Sequence, residues 1–211
     1  MGRFLKLAFA AGLSLAALAP SAYADGEKYD TNALAVAGQL GDKSLGDPNA
    51  PVTVIEYASM TCTHCARFAT TVFKDFKAKY VDTGKVHFIF REFPLDPLAA
   101  AAFQLARCAP EDKYFPMVDV MFQTQQSWAF VDDPGPALYK VVAPMGFTEN
   151  SFNSCLDDKS KSEAIAWVHD RAEKDFGVQG TPAFFINGTR YDGEMTMDDF
   201  AKALDAATAA K

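Results

Sequence analysis

The alternation of apolar and polar positions divides the chain into clear blocks. Val52-Thr53-Val54-Ile55-Glu56-Tyr57 is rich in β-branched residues and reads as a strand. Beyond Cys62 the apolar residues change to three- and four-residue steps at Phe68, Val72, Phe73, Phe76 and Tyr80, which predicts a helix ended by Gly84. Val86 to Phe90 reads as a second strand, with Pro94 and Pro97 marking its exit. From Leu98 to about Phe176 the pattern is helical, in segments 98–109, 111–126, 134–145 and 149–175, the last broken near Lys159. Asp132-Asp133-Pro134-Gly135-Pro136 is a connection within this block. Ala183-Phe184-Phe185-Ile186 is then a strand, Asn187-Gly188 a hairpin turn, and Thr189-Arg190-Tyr191 the returning strand. A last helix runs from Met197 to Ala210 with Thr196 as its N-cap. Before the first strand, Asp25 to Lys43 is weakly patterned and predicts a loose arm with one short helix. Leu45 to Pro51 is turn chemistry.

Strand, helix, strand, helical block, hairpin and helix, in that order, predict an α/β fold: one mixed sheet covered by helices, with the helical block as a lobe. The length of 211 residues fits one domain with a sizeable insertion. A formal net charge of −7 argues against nucleic-acid binding, which needs clustered Lys and Arg. The N-terminus reads as an export signal. Arg3 and Lys6 precede an apolar run from Leu7 to Ala19, Pro20 breaks it, and Ala22-Tyr23-Ala24 is a small-x-small cleavage site. The run is about a dozen residues, short of the roughly 20 that span a bilayer. Residues 1–24 are therefore expected to be a signal peptide and 25–211 the mature protein, the alternative being a retained anchor.

Export changes the meaning of the four cysteines, because an oxidising compartment permits disulfides. Cys62-Thr63-His64-Cys65 falls where the strand turns into the helix. A thiolate at a helix N-terminus is stabilised by free N–H groups and the macrodipole, and a protonated His64 adds a charge nearby. Cys62 is then the nucleophile of thiol–disulfide exchange, and Cys65 the thiol that resolves its mixed disulfide. Zinc needs four ligands and this motif supplies two; His87 and His169 are isolated and read as structural or surface residues. Two inert thiols are the remaining alternative.

"EYASMTCTHCARF" (56–68) resembles the active-site segment of the DsbA family, and "GVQGTPAFFINGTRYDG" (177–193) its cis-proline loop and following hairpin. "FREFPLDPLA" (90–99) is similar too. The resemblance implies a thioredoxin-like core at about 45–97 and 177–211 with a helical insertion at about 98–176. It implies a low cysteine pKa and an oxidising potential as family properties. It also implies a cis peptide at Thr181-Pro182, whose backbone pairs with an extended substrate, and a buried acid, Glu56, that assists proton transfer from Cys65. Two positions depart from the best-known pattern. Thr63-His64 stands where Pro-His is typical, and Thr181 precedes the proline where oxidising members often have Val and isomerases often have Thr. The expected site is thus Cys62, Cys65, His64 and Pro182, with Thr63, Thr181 and Glu56 around them.

Cys108 and Cys155 fall in the helical block and are expected to form a structural disulfide; two reduced thiols or a regulatory redox pair are the alternatives. Phe68, Phe73, Phe76 and Phe88 read as core. Phe184 and Phe185 straddle the sheet, and one of them is a candidate for the peptide groove. The expected function is that of a periplasmic oxidoreductase that introduces disulfides into reduced or unfolded exported proteins. It acts as a monomer without prosthetic group or metal, and the family implies a quinone-linked membrane oxidase as its reoxidant. The alternatives are an isomerase or reductase kept reduced, or a metal-binding or holdase protein.

Overall fold

The computed structural model describes residues 26–209. The expected export segment and the last two residues lie outside that range. The strands are β1 (Lys43–Leu45), β2 (Val52–Ala58), β3 (Val86–Glu92), β4 (Ala183–Ile186) and β5 (Thr189–Asp192). They form one sheet in the order β1-β3-β2-β4-β5. The β2–β3 pair is parallel, with Val54 opposite Phe88 and Glu56 opposite Phe90; the other pairs are antiparallel.

The two central strands are apolar along most of their length because helices cover both faces. Val54, Ala58, Phe88, Phe90, Phe184 and Ile186 belong to the larger core cluster on one face. Ile55, Tyr57, Ile89, Ala183 and Phe185 belong to the smaller cluster on the other. Phe184 and Phe185 do straddle the sheet, but both are fully buried, so neither lines a surface groove. At the β4–β5 turn Asn187 and Gly188 both have positive φ, 45° and 89°, the pair of values a two-residue hairpin turn of this hand requires. A Cβ on Gly188 would also stand 2.5 Å from the Tyr29 carbonyl oxygen.

The helices are α1 (Thr31–Leu34), α2 (Thr63–Arg67), α3 (Phe73–Phe76), α4 (Pro97–Cys108), α5 (Tyr114–Gln123), α6 (Gln125–Trp128), α7 (Pro134–Val142), α8 (Glu149–Leu156), α9 (Lys159–Phe176) and α10 (Met197–Ala209). Wide π turns at Phe68–Val72 and Lys77–Val81 continue α2 and α3 into one helical rod. Pro97 opens α4 as its first residue, where a missing N–H costs nothing, and Asp96 caps it through the Ala99 N–H at 2.8 Å. The segment expected at 111–126 divides into a 3₁₀ turn at Glu111–Lys113, α5 and α6. Thr196 and Asp199 cap α10 reciprocally, Thr196 N to Asp199 Oδ2 at 2.9 Å and Asp199 N to Thr196 Oγ1 at 3.2 Å.

The arm is less loose than expected. Lys28 bridges Thr189 at the β5 edge, and β1 pairs with β3. Three arginines hold its carbonyls: Arg171 those of Ala33 and Val36, Arg91 that of Val36, Arg107 those of Leu40 and Gly41. Arg91 also pairs with Asp42 at 2.8 Å. Because these arginines come from α9, β3 and α4, the arm fastens the helical lobe to the sheet.

Candidate functional site

Cys62 ends the turn after β2 and is the N-cap of α2. Its N–H bonds Ser59 O at 3.1 Å, and its sulfur accepts the Cys65 N–H at 3.3 Å. Cys65 lies one turn in, wholly buried; Cys62 keeps 7% of its surface, and both thiols are free. The Cys62 thiol donates to the Thr181 carbonyl oxygen at 3.2 Å, across 119 residues of chain. The Thr181–Pro182 peptide bond is cis.

These neighbours drive the two thiols apart. Cys62 is lowered to about 6, first by the hydrogen bond the Cys65 thiol offers, against the cost of burial, and then by Thr181 and the backbone N–H groups of Cys65 and His64. The Thr181 hydroxyl lies close enough to favour the thiolate, though it makes no full hydrogen bond with any neighbour. Burial pushes Cys65 well above the ordinary thiol value, reinforced by its bond to Cys62 and by Glu56.

Glu56 sits on central strand β2, 3% exposed, on the face against which α2 and its continuation pack. Burial, and secondarily Cys62, raises its pKa well above the usual carboxylate range. It borders a cleft of about 560 Å³ between the helical rod and α5, walled by Phe68, Phe73, Phe88, Phe90, Phe115 and Phe122. The cysteines do not line this cleft; Glu56 is the group that links it to their surroundings.

The His64 ring, more than half exposed, does not turn toward Cys62. Its Nδ1 pairs with Glu194 in the β5–α10 turn, and Arg67 donates to the same carboxylate at 3.1 Å. Thr63 is exposed beside it. His87 is on β3 and His169 stacks on Phe93 with ring centroids 4.2 Å apart; neither approaches the site as a partner. Among the described residues no three His, Cys, Asp or Glu side chains gather as a metal site would need. Cys108, at the end of α4, is bonded to Cys155 of α8.

Three supports have no sequence signal. Gln125, 2% exposed, donates its two N–H bonds to Met60 O at 2.8 Å and Cys62 O at 3.0 Å, so α6 of the helical lobe holds the loop before Cys62. Asp96 accepts from Thr61 Oγ1 at 2.5 Å while capping α4. Glu194 is the third. Separations of 63, 35 and 130 residues put these pairs beyond any local pattern.

A thioredoxin family model matches residues 39–206. The chain is 32% identical over 168 residues to a Rickettsia prowazekii protein named as a putative protein-disulfide oxidoreductase, covering 79% of this chain and 61% of that protein. The chain thus spans about three fifths of the length of such relatives. It is 30% identical over 171 residues to a Bacillus cereus protein named as a probable disulfide bond formation protein D, with 77% of each covered. Among solved structures, alpha-DsbA1 of Wolbachia pipientis superposes with a TM-score of 0.76 at 32% identity, covering 84% of this chain and 96% of that one.

Proposed function

We propose, for a chain that belongs to the DsbA family of thioredoxin-fold proteins, that Cys62 and Cys65 are the redox couple of a protein thiol–disulfide oxidoreductase. The observation that carries this is the asymmetry of the two thiols: Cys62 lowered to about 6 and partly accessible, Cys65 raised and buried.

In the oxidised protein the two sulfurs are bonded. A substrate thiolate attacks Cys62 Sγ, the Cys62–Cys65 bond breaks, and the electron pair stays on Cys65. The buried Cys65 sulfur then needs a proton, because burial disfavours its charge. Glu56, whose pKa burial raises, is the donor, and the aromatic cleft is its route to solvent for replacement. A second substrate thiolate attacks the substrate sulfur of the mixed disulfide and releases Cys62 as thiolate, the form its surroundings favour. The substrate leaves with a new disulfide and the protein keeps two electrons. Thr181 and Pro182 line the approach to Cys62, and the backbone there is the edge on which an extended peptide aligns.

The direction of net flow follows from compartment and reoxidant. The signal-like segment at 1–24 supports export to the periplasm, reduced or unfolded exported proteins as substrates, and a quinone-linked membrane oxidase as the source of new disulfide. The arm ahead of β2 packs on β3 and β5 of its own sheet, which supports a monomer. Thr181 before the proline favours the second reading, an isomerase kept reduced. The redox equilibrium of Cys62–Cys65 against glutathione decides between them. An oxidase holds its reduced form preferentially in glutathione mixtures, and alkylation of Cys62 follows pH with a midpoint near 6. A midpoint near the free-thiol value of roughly 8.5 removes the basis of the assignment.

A further inference from the structure

Nothing in the Cys62–Cys65 couple requires Glu194, yet three features aim it at the active-site helix. Its turn is fixed, since Gly193 N donates to Pro182 O at 2.9 Å and Met195 is buried in the core. Its carboxylate holds His64 Nδ1, and Arg67 one turn further on. The donors that do reach the Cys62 sulfur leave the ring out: His64 contributes through its backbone N–H. The side chain inside the Cys-x-x-Cys motif is therefore committed to a carboxylate from the far end of the sheet.

We infer that Glu194 is a positioning residue for the redox couple: it holds the His64 ring on the β5–α10 turn and keeps its N–H off the Cys62 sulfur. The inference rests on Cys62 and Cys65 being that couple. Its consequence follows from where charge appears. In the exchange, oxidised protein and two glutathione thiols give reduced protein and glutathione disulfide, and only the reduced protein carries the Cys62 thiolate. An imidazole N–H turned onto that sulfur would stabilise the reduced form and leave the disulfide form untouched. By holding the ring away, Glu194 makes the protein a milder oxidant than its motif allows. Arg67 shares the same carboxylate and is a spectator to this effect.

The test uses the full mature protein, with the glutathione equilibrium and the thiolate absorbance titration measured on the same samples. Glu194→Ala is expected to shift the equilibrium toward reduced protein about two- to fivefold, the range of an exposed ion pair, and to lower the Cys62 titration midpoint. Glu194→Gln, which still accepts from the ring, shifts the same way but less. In a His64→Ala background Glu194→Ala is expected to shift neither quantity, and Arg67→Ala alone leaves both in place. The inference is overturned if Glu194→Ala and Glu194→Gln leave both quantities unchanged or move them the opposite way. It is equally overturned if the shift persists without His64, since the carboxylate would then act through its own charge. If Glu194→Ala does not fold, the sign of the Glu194→Gln shift decides. A wild-type protein with no glutathione equilibrium at all would instead remove the redox couple itself, a distinct result.

Discussion

The two cysteine pairs of this protein are each supported by a buried glutamine, and the pairs differ in everything else. Gln125 donates to the carbonyls of Met60 and Cys62 beside the free pair. Gln104, 4% exposed, donates to those of Cys155, Leu156 and Asp158 at 2.6, 3.2 and 2.8 Å beside the bonded pair. Both amides satisfy carbonyls where a helix begins or ends inside the core, a buried group that is costly to leave unpaired. At Cys155 the clamp ends α8 and fixes a cross-link between two helices of one lobe. At Cys62 the clamp comes from the helical lobe and fixes a loop of the sheet, beside a helix N-terminus and above a buried acid. The same device thus serves a fixed bond in one place and a pair of free thiols in the other. What separates them is the ionisable surroundings. Glu56, beneath the first pair, is pushed toward its protonated form. Glu92, the buried acid that α4 holds, is paired with Arg107.

The sharpest way to break this comparison is to remove a cysteine from each pair. Cys62→Ala is expected to reduce disulfide exchange with a reduced protein substrate to the uncatalysed rate, while Cys108→Ala with Cys155→Ala keeps it. That double variant should instead lose up to about 4 kcal/mol of unfolding free energy on the chain-entropy model for a separation of 47 residues, read from denaturant titration. Exchange lost in the double variant would show that the pairs are not separate. The glutamines come next. Gln125→Leu and Gln104→Leu should each cost about 1–3 kcal/mol of stability by the same titration, and Gln125→Leu alone should slow exchange by the folded protein. Equal effects on rate would reduce both to plain scaffolding.

The smallest expected effect concerns Glu56. Its folded-state pKa is raised by burial and by Cys62. Below the free-carboxylate value both states hold the proton. As pH rises, the unfolded chain releases it first, so the folded protein loses stability until its own carboxyl ionises. Glu56→Gln removes that loss. Reduced Glu56→Gln protein should therefore be more stable than wild type at pH 7, each tenfold difference in proton affinity between the folded and unfolded carboxyl being worth about 1.4 kcal/mol. The gain should disappear as pH falls below the free-carboxylate range. Urea midpoints across pH measure this, and a gain that persists at pH 3 would mean that packing is responsible.

The central strands and the placement of the Cys-x-x-Cys at the start of a helix were legible because their signals are local. Val52 to Tyr57 and Val86 to Phe90 carry apolar residues toward both faces, and a Cys-x-x-Cys at a strand-to-helix turn carries its chemistry in four residues. β1 was not legible: Lys43-Ser44-Leu45 has no strand pattern of its own and becomes a strand by pairing with Phe88 to Phe90. The π turns were hidden because one extra residue per turn barely disturbs three- and four-residue spacing. His64 was read as a charge beside Cys62, and its ring went to Glu194, a partner that exists through the meeting of two distant turns. Local motifs therefore placed the candidate cysteines, and the partners around them came from long-range contacts.

The bridge between Lys28 and Thr189 has a consequence for the molecule's life among other chains. β5 ends the sheet on the side of the β4–β5 hairpin, and an open strand there would expose a row of backbone donors and acceptors. The arm takes up part of that row: Arg190 N donates to Glu27 O at 2.9 Å, and Tyr29 N to Gly188 O at 2.8 Å. Under the proposed function an extended peptide aligns at the cysteines, and the arm shields the β5 edge from the same kind of pairing. The first residues of the described chain act as a selvedge, finishing this edge so that it is not left open to pairing with another chain.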